Sequence, residues 1–269
     1  MLLPQLKSLL SRHGRWAKKG LGQHFLVDEE ALERIVGAAD LLSDDVVVEV
    51  GPGTGFLTER LIPRAARVVA VEYDAKMVEI LKERFPGVSN LELVHQDALQ
   101  FPVPRGPYKV VANIPYYITS PLLKHFLQAD SRPGLMVLLV QKEVAEKVCG
   151  ISGKSMITVE TQVFGKPEIM GIVPAESFFP APEVDSAILR IEAFSEPLVP
   201  EGQLKDFLRL VGFGFSQKRK KLANSLAAGL HRDVNEVREL LDTVGINTDA
   251  RAENLEIGDW QRVYGHLYS

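Results

Sequence analysis

The residues best suited to chemistry form the tetrapeptide Asn113-Ile114-Pro115-Tyr116, which follows an apolar stretch typical of a strand. The side-chain oxygen of Asn113 and the carbonyl of Ile114 are acceptors that can hold the protons of an aromatic amine, which improves its delocalised lone pair as a nucleophile. Pro115 stiffens the turn and brings no competing N–H. Tyr116 offers a flat face on which an extruded base can stack, and such stacking stabilises a bound base by about 1–3 kcal/mol. The pattern predicts methyl transfer to an amino nitrogen, which needs positioning rather than a metal ion.

A glycine turn after a valine-rich strand supplies the second motif. Residues 46–50 (VVVEV) are mostly β-branched, favour a strand buried on both faces, and run directly into GPGTG. Gly51, Gly53 and Gly55 lack a Cβ atom, so the chain can turn tightly and approach a bound molecule. Glycines alone equally suit a turn without a ligand, so this interpretation depends on the acids that follow.

Two acidic residues at the ends of the next two strands help to decide which nucleotide-type cofactor the site would bind. Glu72 ends the strand 68–72 and can accept hydrogen bonds from both hydroxyls of a ribose, as in NAD sites. The turn, however, is Gly-x-Gly-x-Gly rather than Gly-x-Gly-x-x-Gly. Asp97 ends a third strand, where it can accept from an exocyclic adenine amine. An adenosine without a pyrophosphate fits best, and we predict S-adenosyl-L-methionine. The tetrapeptide at 113–116, which alone would suit an ordinary turn, gains its functional interpretation from this order of motifs.

Composition predicts a soluble, cytoplasmic enzyme. The chain has 269 residues, of which 46% are hydrophobic and 25% charged. No apolar run approaches the length of a membrane span, and the basic residues at the start follow the apolar ones, the reverse of a secretory signal. The single cysteine, Cys149, excludes an internal disulfide, and no Cys/His cluster has zinc spacing. We expect no metal site and no membrane contact.

The net charge of −4 conceals two basic segments. Residues 1–24 carry lysines and arginines without any acid, and the run Lys218-Arg219-Lys220-Lys221 lies in the C-terminal part. Either segment alone is typical of a solvated helix face. Together they can form an electropositive surface that contacts phosphates, so the run at 218–221 is our candidate RNA-binding site.

The apolar periodicity predicts two folded parts. Alternating strands and helices up to about residue 150 require a parallel sheet covered on both faces. Residues 156–164 and 168–173 are predicted to form an antiparallel hairpin, residues 187–193 a further strand, and the remainder helices. The fold class is therefore α/β, a Rossmann-like class I methyltransferase sheet, mostly parallel with antiparallel C-terminal strands, plus a small all-helical domain. We expect a flexible basic segment at 1–25, a methyltransferase domain at 26–195 and a helical rRNA-binding domain at 201–269.

In combination, these motifs resemble the ribosomal RNA adenine N6,N6-dimethyltransferase family, and within it the enzymes of the small (16S) subunit. The resemblance covers nearly the whole chain, and although single motifs recur in other methyltransferases, their combination in this order is highly specific. The matching segments are LGQHFL at 21–26, EVGPGTG at 49–55, Glu72, QDAL at 96–99, NIPYYITSPLL at 113–123, QKEVAEK at 141–147, FFPAPEVDSA at 178–187, SQKRKKLANSL at 216–226 and RAENL at 251–255.

The resemblance implies further roles. Phe178 matches an aromatic residue that covers the second face of the target base, opposite Tyr116. The implied substrate is a pair of adjacent adenosines in the 3′-terminal hairpin loop of small-subunit rRNA, within a pre-30S particle, and such loops expose bases that can be flipped. The family implies a monomer. The implied cofactor contacts are Gln23, His24 and Leu26 over the methionine end, Gly51 and Gly53 at the turn, Glu72 at the ribose, Asp97 and Ala98 at the adenine, and Asn113.

Two positions depart from the family pattern: Glu183 replaces a usual lysine, and residues 156–159 replace a usual Leu-Ser-Val. Two alternative functions share much of the pattern. One is the large-subunit dimethyltransferase of the macrolide-resistance type, against which the segments at 216–226 and 251–255 argue. The other is a non-catalytic RNA-binding factor of the same fold, against which the intact Glu72, Asp97 and Asn113 argue.

Overall fold

The computed structural model describes residues 2–14 and 24–268. Their contacts divide the chain into two compact units, Met1–Ala145 with Pro167–Ala193, and Glu146–Lys166 with Phe194–Ser269. These units differ from the expected domains at 26–195 and 201–269, because residues 146–166 belong with the C-terminal helices. Within the described ranges, no helix has the length and apolar character needed to cross a bilayer.

The described residues form nine strands: β1 (Phe25–Leu26), β2 (Val46–Val50), β3 (Arg67–Glu72), β4 (Leu91–His95), β5 (Lys109–Asn113), β6 (Leu135–Gln141), β7 (Gly165–Val173), β8 (Phe178–Phe179) and β9 (Ser186–Ala193). Seven of them form one sheet in the order β4-β3-β2-β5-β6-β9-β7. Neighbours from β4 to β6 are parallel, β9 is antiparallel to β6, and β1 and β8 form a separate antiparallel pair. This architecture confirms the predicted fold class.

Helices follow the strands, and local signals set several of their ends. Asp28 accepts from the N–H groups of Glu30 and Ala31 at 3.0 and 3.2 Å, and Asp74 accepts from Lys76 N–H at 2.9 Å, as helix N-caps do. The helices are α1 (Leu3–Arg12), α2 (Glu29–Ala38), α3 (Thr58–Leu61), α4 (Ala75–Arg84), α5 (Thr119–Leu127), α6 (Lys142–Cys149), α7 (Met156–Gln162), α8 (Glu201–Phe215), α9 (Leu222–Leu230), α10 (Val234–Thr243) and α11 (Ile257–Tyr268).

The prediction of a flexible segment at 1–25 is wrong for residues 3–12, which form α1. Its Leu6, Leu9 and Leu10 are buried at helical spacing, and the packing of this apolar stripe stabilises the helix. The basic side chains of α1 are also engaged, because Arg12 pairs with Glu83 at 3.4 Å and Lys7 lies 5.2 Å from the Phe179 ring.

The predicted strand at 156–164 is also wrong, because residues 156–162 form α7. The Ser155 N–H donates to Thr158 Oγ1 at 2.9 Å, and Thr158 Oγ1 donates to the carbonyl of Lys147 at 2.5 Å. Apolar residues in this stretch suit either a strand or a helix, and a polar residue at the start that can close the first turn favours the helix.

Close packing around one tryptophan forms the core of the helical unit. Trp260 of α11 is completely buried, and α8 passes so close that a Cβ atom on Gly214 would lie 2.3 Å from its Cη2. Gly214 is therefore required by the contact between the two helices, although glycine weakens a helix interior. Gly212, two residues away in α8, has no atom within 4 Å of its Cβ position.

We expect Gly214→Ala to destabilise the helical unit by about 1–3 kcal/mol, because the added methyl group overpacks a full site. Gly212→Ala is the matched control and should instead stabilise by about 0.5–1 kcal/mol, since alanine favours the helix. Chemical unfolding followed by Trp260 fluorescence, with Trp16→Phe as the common background, measures both. Equal effects of the two substitutions would contradict the packing explanation.

Candidate active site

A cavity of about 400 Å³ opens where β2, β3, β4 and β5 end. Since these neighbouring strands are parallel, their carboxyl ends lie at one edge of the sheet, the usual position of ligand sites in such folds. The volume suits a small organic ligand. Residues at the end of each strand and in the turn after it supply much of the wall, at 51–54, 72–73, 96–99 and 113–118, and residues 24–26 also contribute.

The glycine turn has a backbone that glycine adopts without strain. Gly51 and Gly53 have φ angles of +67° and +56°, and both line the cavity. A Cβ atom on Gly53 would lie 3.4 Å from Cε1 of Phe25. Gly55 has a different task, because a Cβ atom there would lie 2.7 Å from Cε2 of Phe85. The first two glycines therefore give a ligand access to the main chain, whereas Gly55 allows α4 to pack.

Glu72 lies at the end of β3 with both carboxylate oxygens held by the main chain. Oε2 accepts the Gly53 N–H at 3.0 Å and Oε1 accepts the Asp74 N–H at 2.8 Å. The residue is 8% exposed, and burial raises the pKa of the carboxyl although these N–H donors oppose the change. Each oxygen retains a lone pair, so Glu72 is oriented to accept from further donors in the cavity.

Asp97 and Ala98 line the cavity after β4, where the sequence predicts an adenine contact. Asp97 Oδ1 accepts the Leu99 N–H at 2.9 Å, which fixes the turn. In the part of the chain that the structure describes, Asp97 Oδ2 has no hydrogen-bond partner. An acceptor with this freedom suits an exocyclic amine.

Asn113 is the last residue of β5, and Ile114 follows it in the cavity wall. Asn113 is half-buried, and a Cβ atom on Gly51 would lie 3.7 Å from its carbonyl oxygen. Among residues 2–14 and 24–268, neither the Asn113 side-chain amide nor the Ile114 carbonyl has a hydrogen-bond partner. The two acceptors named from the sequence are thus available at the wall, next to the glycine turn.

Tyr116 is held by residues distant in sequence. Its hydroxyl lies 2.8 Å from Oγ of the fully buried Ser186, at the start of β9. The His24 ring lies nearly parallel to the Tyr116 ring, with 5.9 Å between centroids and 19° between planes, and His24 Nδ1 lies 2.7 Å from the Pro180 carbonyl oxygen. Burial raises the pKa of Tyr116, so the phenol keeps its proton. Ser186 and Pro180 escaped prediction because only the fold brings them to this ring.

Of the other predicted contacts, His24 and Leu26 line the cavity, and Gln23 lies outside the described residues. Phe178 does not line the cavity. It pairs with Leu26 across β1 and β8 and is packed in the hydrophobic core, 4% exposed. The stacking role that the resemblance implies for Phe178 therefore stays a prediction, since the ring is packed in the core beside β1.

Glu49 is a site residue that the sequence interpretation missed. It lies within β2, lines the cavity and is completely buried. Burial raises the pKa of Glu49 to about 8 and the nearby Glu72 adds to the effect, although the hydroxyl and N–H of Thr58 oppose it. Its signal was an acid inside an otherwise apolar strand.

The basic run is exposed, but its members differ. Lys218, Arg219 and Lys220 lie in the turn before α9, whereas Lys221 Nζ lies 2.6 Å from Asp249 Oδ1. The pairing lowers the pKa of Asp249. Lys221 is therefore already neutralised locally, and three residues of the run rather than four present unpaired charge.

The sheet order, with an antiparallel β9 beside a parallel set, is that of an α/β methyltransferase. Two solved structures share it over most of their length. The 23S rRNA methyltransferase ErmE is 32% identical with a TM-score of 0.75, over 91% of this chain and 100% of its own. A dimethyladenosine transferase from Plasmodium falciparum is 28% identical with a TM-score of 0.75, over 89% of this chain and 96% of its own.

The family model for ribosomal RNA adenine dimethylase matches residues 14–268, and the chain belongs to that family. Two relatives carry the name ribosomal RNA small subunit methyltransferase A. The one from Dehalococcoides mccartyi is 42% identical over 97% of this chain and 92% of its own. The one from Halothermothrix orenii is 39% identical over 89% of this chain and 84% of its own. The family predicted from the motifs is confirmed.

We expect Glu49→Gln to change how stability depends on pH. The pKa of the Glu49 carboxyl is 4.5 in the unfolded chain and about 8 in the folded protein. Between these values wild-type stability falls as pH rises, by at most about 1.4 kcal/mol per pH unit. The glutamine variant has no proton to lose at this position. Its free energy of unfolding, relative to that of the wild type, should therefore rise between pH 4.5 and about pH 8 and stay constant above that.

Urea unfolding at a series of pH values measures the difference. The control is Glu168→Gln, at an exposed glutamate of β7, whose stability curve should run parallel to that of the wild type. A Glu49→Gln curve that is also parallel would show that Glu49 is ionised in the folded protein.

Proposed function

We propose that this protein uses S-adenosyl-L-methionine to dimethylate N6 of two adjacent adenosines in the 3′-terminal hairpin loop of small-subunit rRNA. It would act as a monomer on a pre-30S particle. The observation that carries the proposal is a pair of acceptors, Asn113 Oδ1 and the Ile114 carbonyl, that have no hydrogen-bond partner among the described residues and lie on the wall that also presents Glu72 and Asp97. Amine-holding and nucleoside-holding groups thus share one cavity.

The residues present fit the cofactor. Positive φ angles at Gly51 and Gly53 leave room for close approach, Glu72 can accept from ribose hydroxyls, and Asp97 Oδ2 can accept from an adenine amine. The cofactor supplies a methyl group activated by a positively charged sulfur. Because the donor is so activated, the chain need only hold the acceptor amine in line with the methyl group.

Holding the amine is the task of the turn after β5. Asn113 Oδ1 and the Ile114 carbonyl accept hydrogen bonds from the N–H groups of the amine, two in the first transfer and one in the second, and turn the nitrogen lone pair out of conjugation with the ring. Tyr116, fixed by Ser186, supports the flat base. The proton released after transfer leaves to water, since the described residues place no strong base beside the two acceptors.

The likeness to ErmE favours one alternative, methylation of large-subunit rRNA. The small subunit is preferred because the relatives with 39% and 42% identity are named for it. The test incubates purified protein with methyl-labelled cofactor and unmethylated small or large subunits, then identifies labelled nucleosides after digestion. Labelled N6,N6-dimethyladenosine in small-subunit rRNA is expected, and label in large-subunit rRNA alone would overturn the proposal.

We expect Asn113→Ala to lower the rate of dimethyladenosine formation by at least about 100-fold, the scale for one positioned group that acts in the transition state. Binding to the particle should be retained, because the substitution removes a group that acts on one nitrogen. Single-turnover methylation and sedimentation binding measure the two effects. Asn235→Ala, at an exposed position of α10, is the control, and full methylation by Asn113→Ala would remove Asn113 from the mechanism.

We expect alanine at Lys218, Arg219 and Lys220 together to weaken particle binding and to reduce the slope of log affinity against log salt by about 2, since each phosphate contact contributes about 0.7. Lys221→Ala is the matched control and should change the slope little, because Asp249 already neutralises that ammonium. An unchanged slope in the triple variant would show that these side chains only face solvent.

A further inference from the structure

One aromatic ring at the cavity mouth has no task in the chemistry described above. Tyr117 lines the cavity, yet it is 72% exposed. In the described ranges its ring has no hydrogen bond, ion pair or ring contact. Tyr73 is the other strongly exposed aromatic residue at the cavity, but it follows Glu72 and so lies on the nucleoside-holding side. Tyr117 lies on the amine-holding side.

The backbone that carries Tyr117 is fixed. Residues 116–118 form a 3₁₀ turn in which the Ile118 N–H donates to the Pro115 carbonyl at 3.2 Å. The Thr119 hydroxyl donates to the Tyr116 carbonyl at 3.0 Å, and the Tyr116 side chain is held by Ser186. With the backbone fixed, only the two side-chain torsions of Tyr117 must be ordered when a ligand stacks on the ring, so stacking costs little conformational entropy.

We propose that Tyr117 is a second base-binding site, outside the cavity, which stacks on the nucleotide adjacent to the adenosine being methylated. The proposal rests on the proposed function. When one base of an RNA strand enters the cavity, its neighbour remains at the mouth, one phosphodiester away. Tyr117 follows Tyr116 directly, with about 3.8 Å between Cα atoms, so consecutive tyrosines would support consecutive bases.

The chemistry of the ring suits this ligand. Stacking on an aromatic face tolerates any base, because every base has a π-face, and it is worth about 1–3 kcal/mol. Two adjacent adenosines must each enter the cavity in turn while the other waits outside. A stacking surface that accepts either one would bind the pair in both arrangements, whereas a pocket shaped for one nucleotide would not.

The first experiment compares Tyr117→Ala, Tyr117→Leu and Tyr117→Phe in methylation of unmethylated small subunits. Loss of the ring should raise KM for the subunits by about 5- to 150-fold, the equivalent of 1–3 kcal/mol, with a smaller change in kcat. Leucine keeps apolar volume but not flatness and should resemble alanine, whereas phenylalanine should restore most of kcat/KM. A leucine variant as good as phenylalanine would overturn stacking in favour of simple apolar contact.

The second experiment is a double-mutant cycle with subunits reconstituted from rRNA in which one of the two adenosines is replaced by uridine, the weaker stacking base. The replacement should lower kcat/KM more for the wild type than for Tyr117→Ala, because the variant has no ring on which the replaced base could stack. Strictly additive effects would overturn the proposal while leaving the methylation function intact. A wild-type protein that labels no RNA would overturn both.

Discussion

The carboxylate of Glu72 is the interaction on which the site depends. Burying a carboxylate is unfavourable unless hydrogen bonds compensate for lost solvation, and here the N–H groups of Gly53 and Asp74 compensate in part, each donating to a different oxygen. The same two bonds connect the turn after β2 to the turn after β3. A single side chain therefore joins two of the turns that line the cavity.

The antiparallel part of the sheet has a different role from the parallel part. The parallel strands bring four loops to one edge of the sheet, which explains how Gly51, Gly53, Glu72 and Asp97 come to line the cavity. The wall formed by residues 113–116 also depends on the added strands, because Ser186 of β9 and His24 before β1 hold Tyr116 in place. An antiparallel strand runs in the opposite direction, so its first residue reaches the edge where β5 ends. The added strands thus complete the part of the cavity wall that contains Tyr116.

Local signals explain what the sequence could predict. Gly51, Gly53, Glu72, Asp97 and Asn113 lie at strand ends, so the topology alone brings them to the cavity. Other features depend on partners that these signals do not reveal. The apolar stripe of α1 packs against a surface formed by other elements, Phe178 pairs with Leu26 in the core, and Lys221 pairs with Asp249. Periodicity and motif spacing carry no information about such contacts.

The two walls of the cavity are connected by one short strand. Phe25 of β1 packs against Gly53, where a Cβ atom would lie only 3.4 Å from its ring, and the residue before it, His24, lies against Tyr116. Gly53 has a φ angle of +56°, so a side chain there would strain the turn, and its Cβ atom would contact the Phe25 ring. The segment 24–26 thus joins two parts of the cavity wall, because Phe25 contacts the glycine turn while His24 lies beside Tyr116 and the Pro180 carbonyl. Glycine at this position lets the turn and β1 pack against each other without strain.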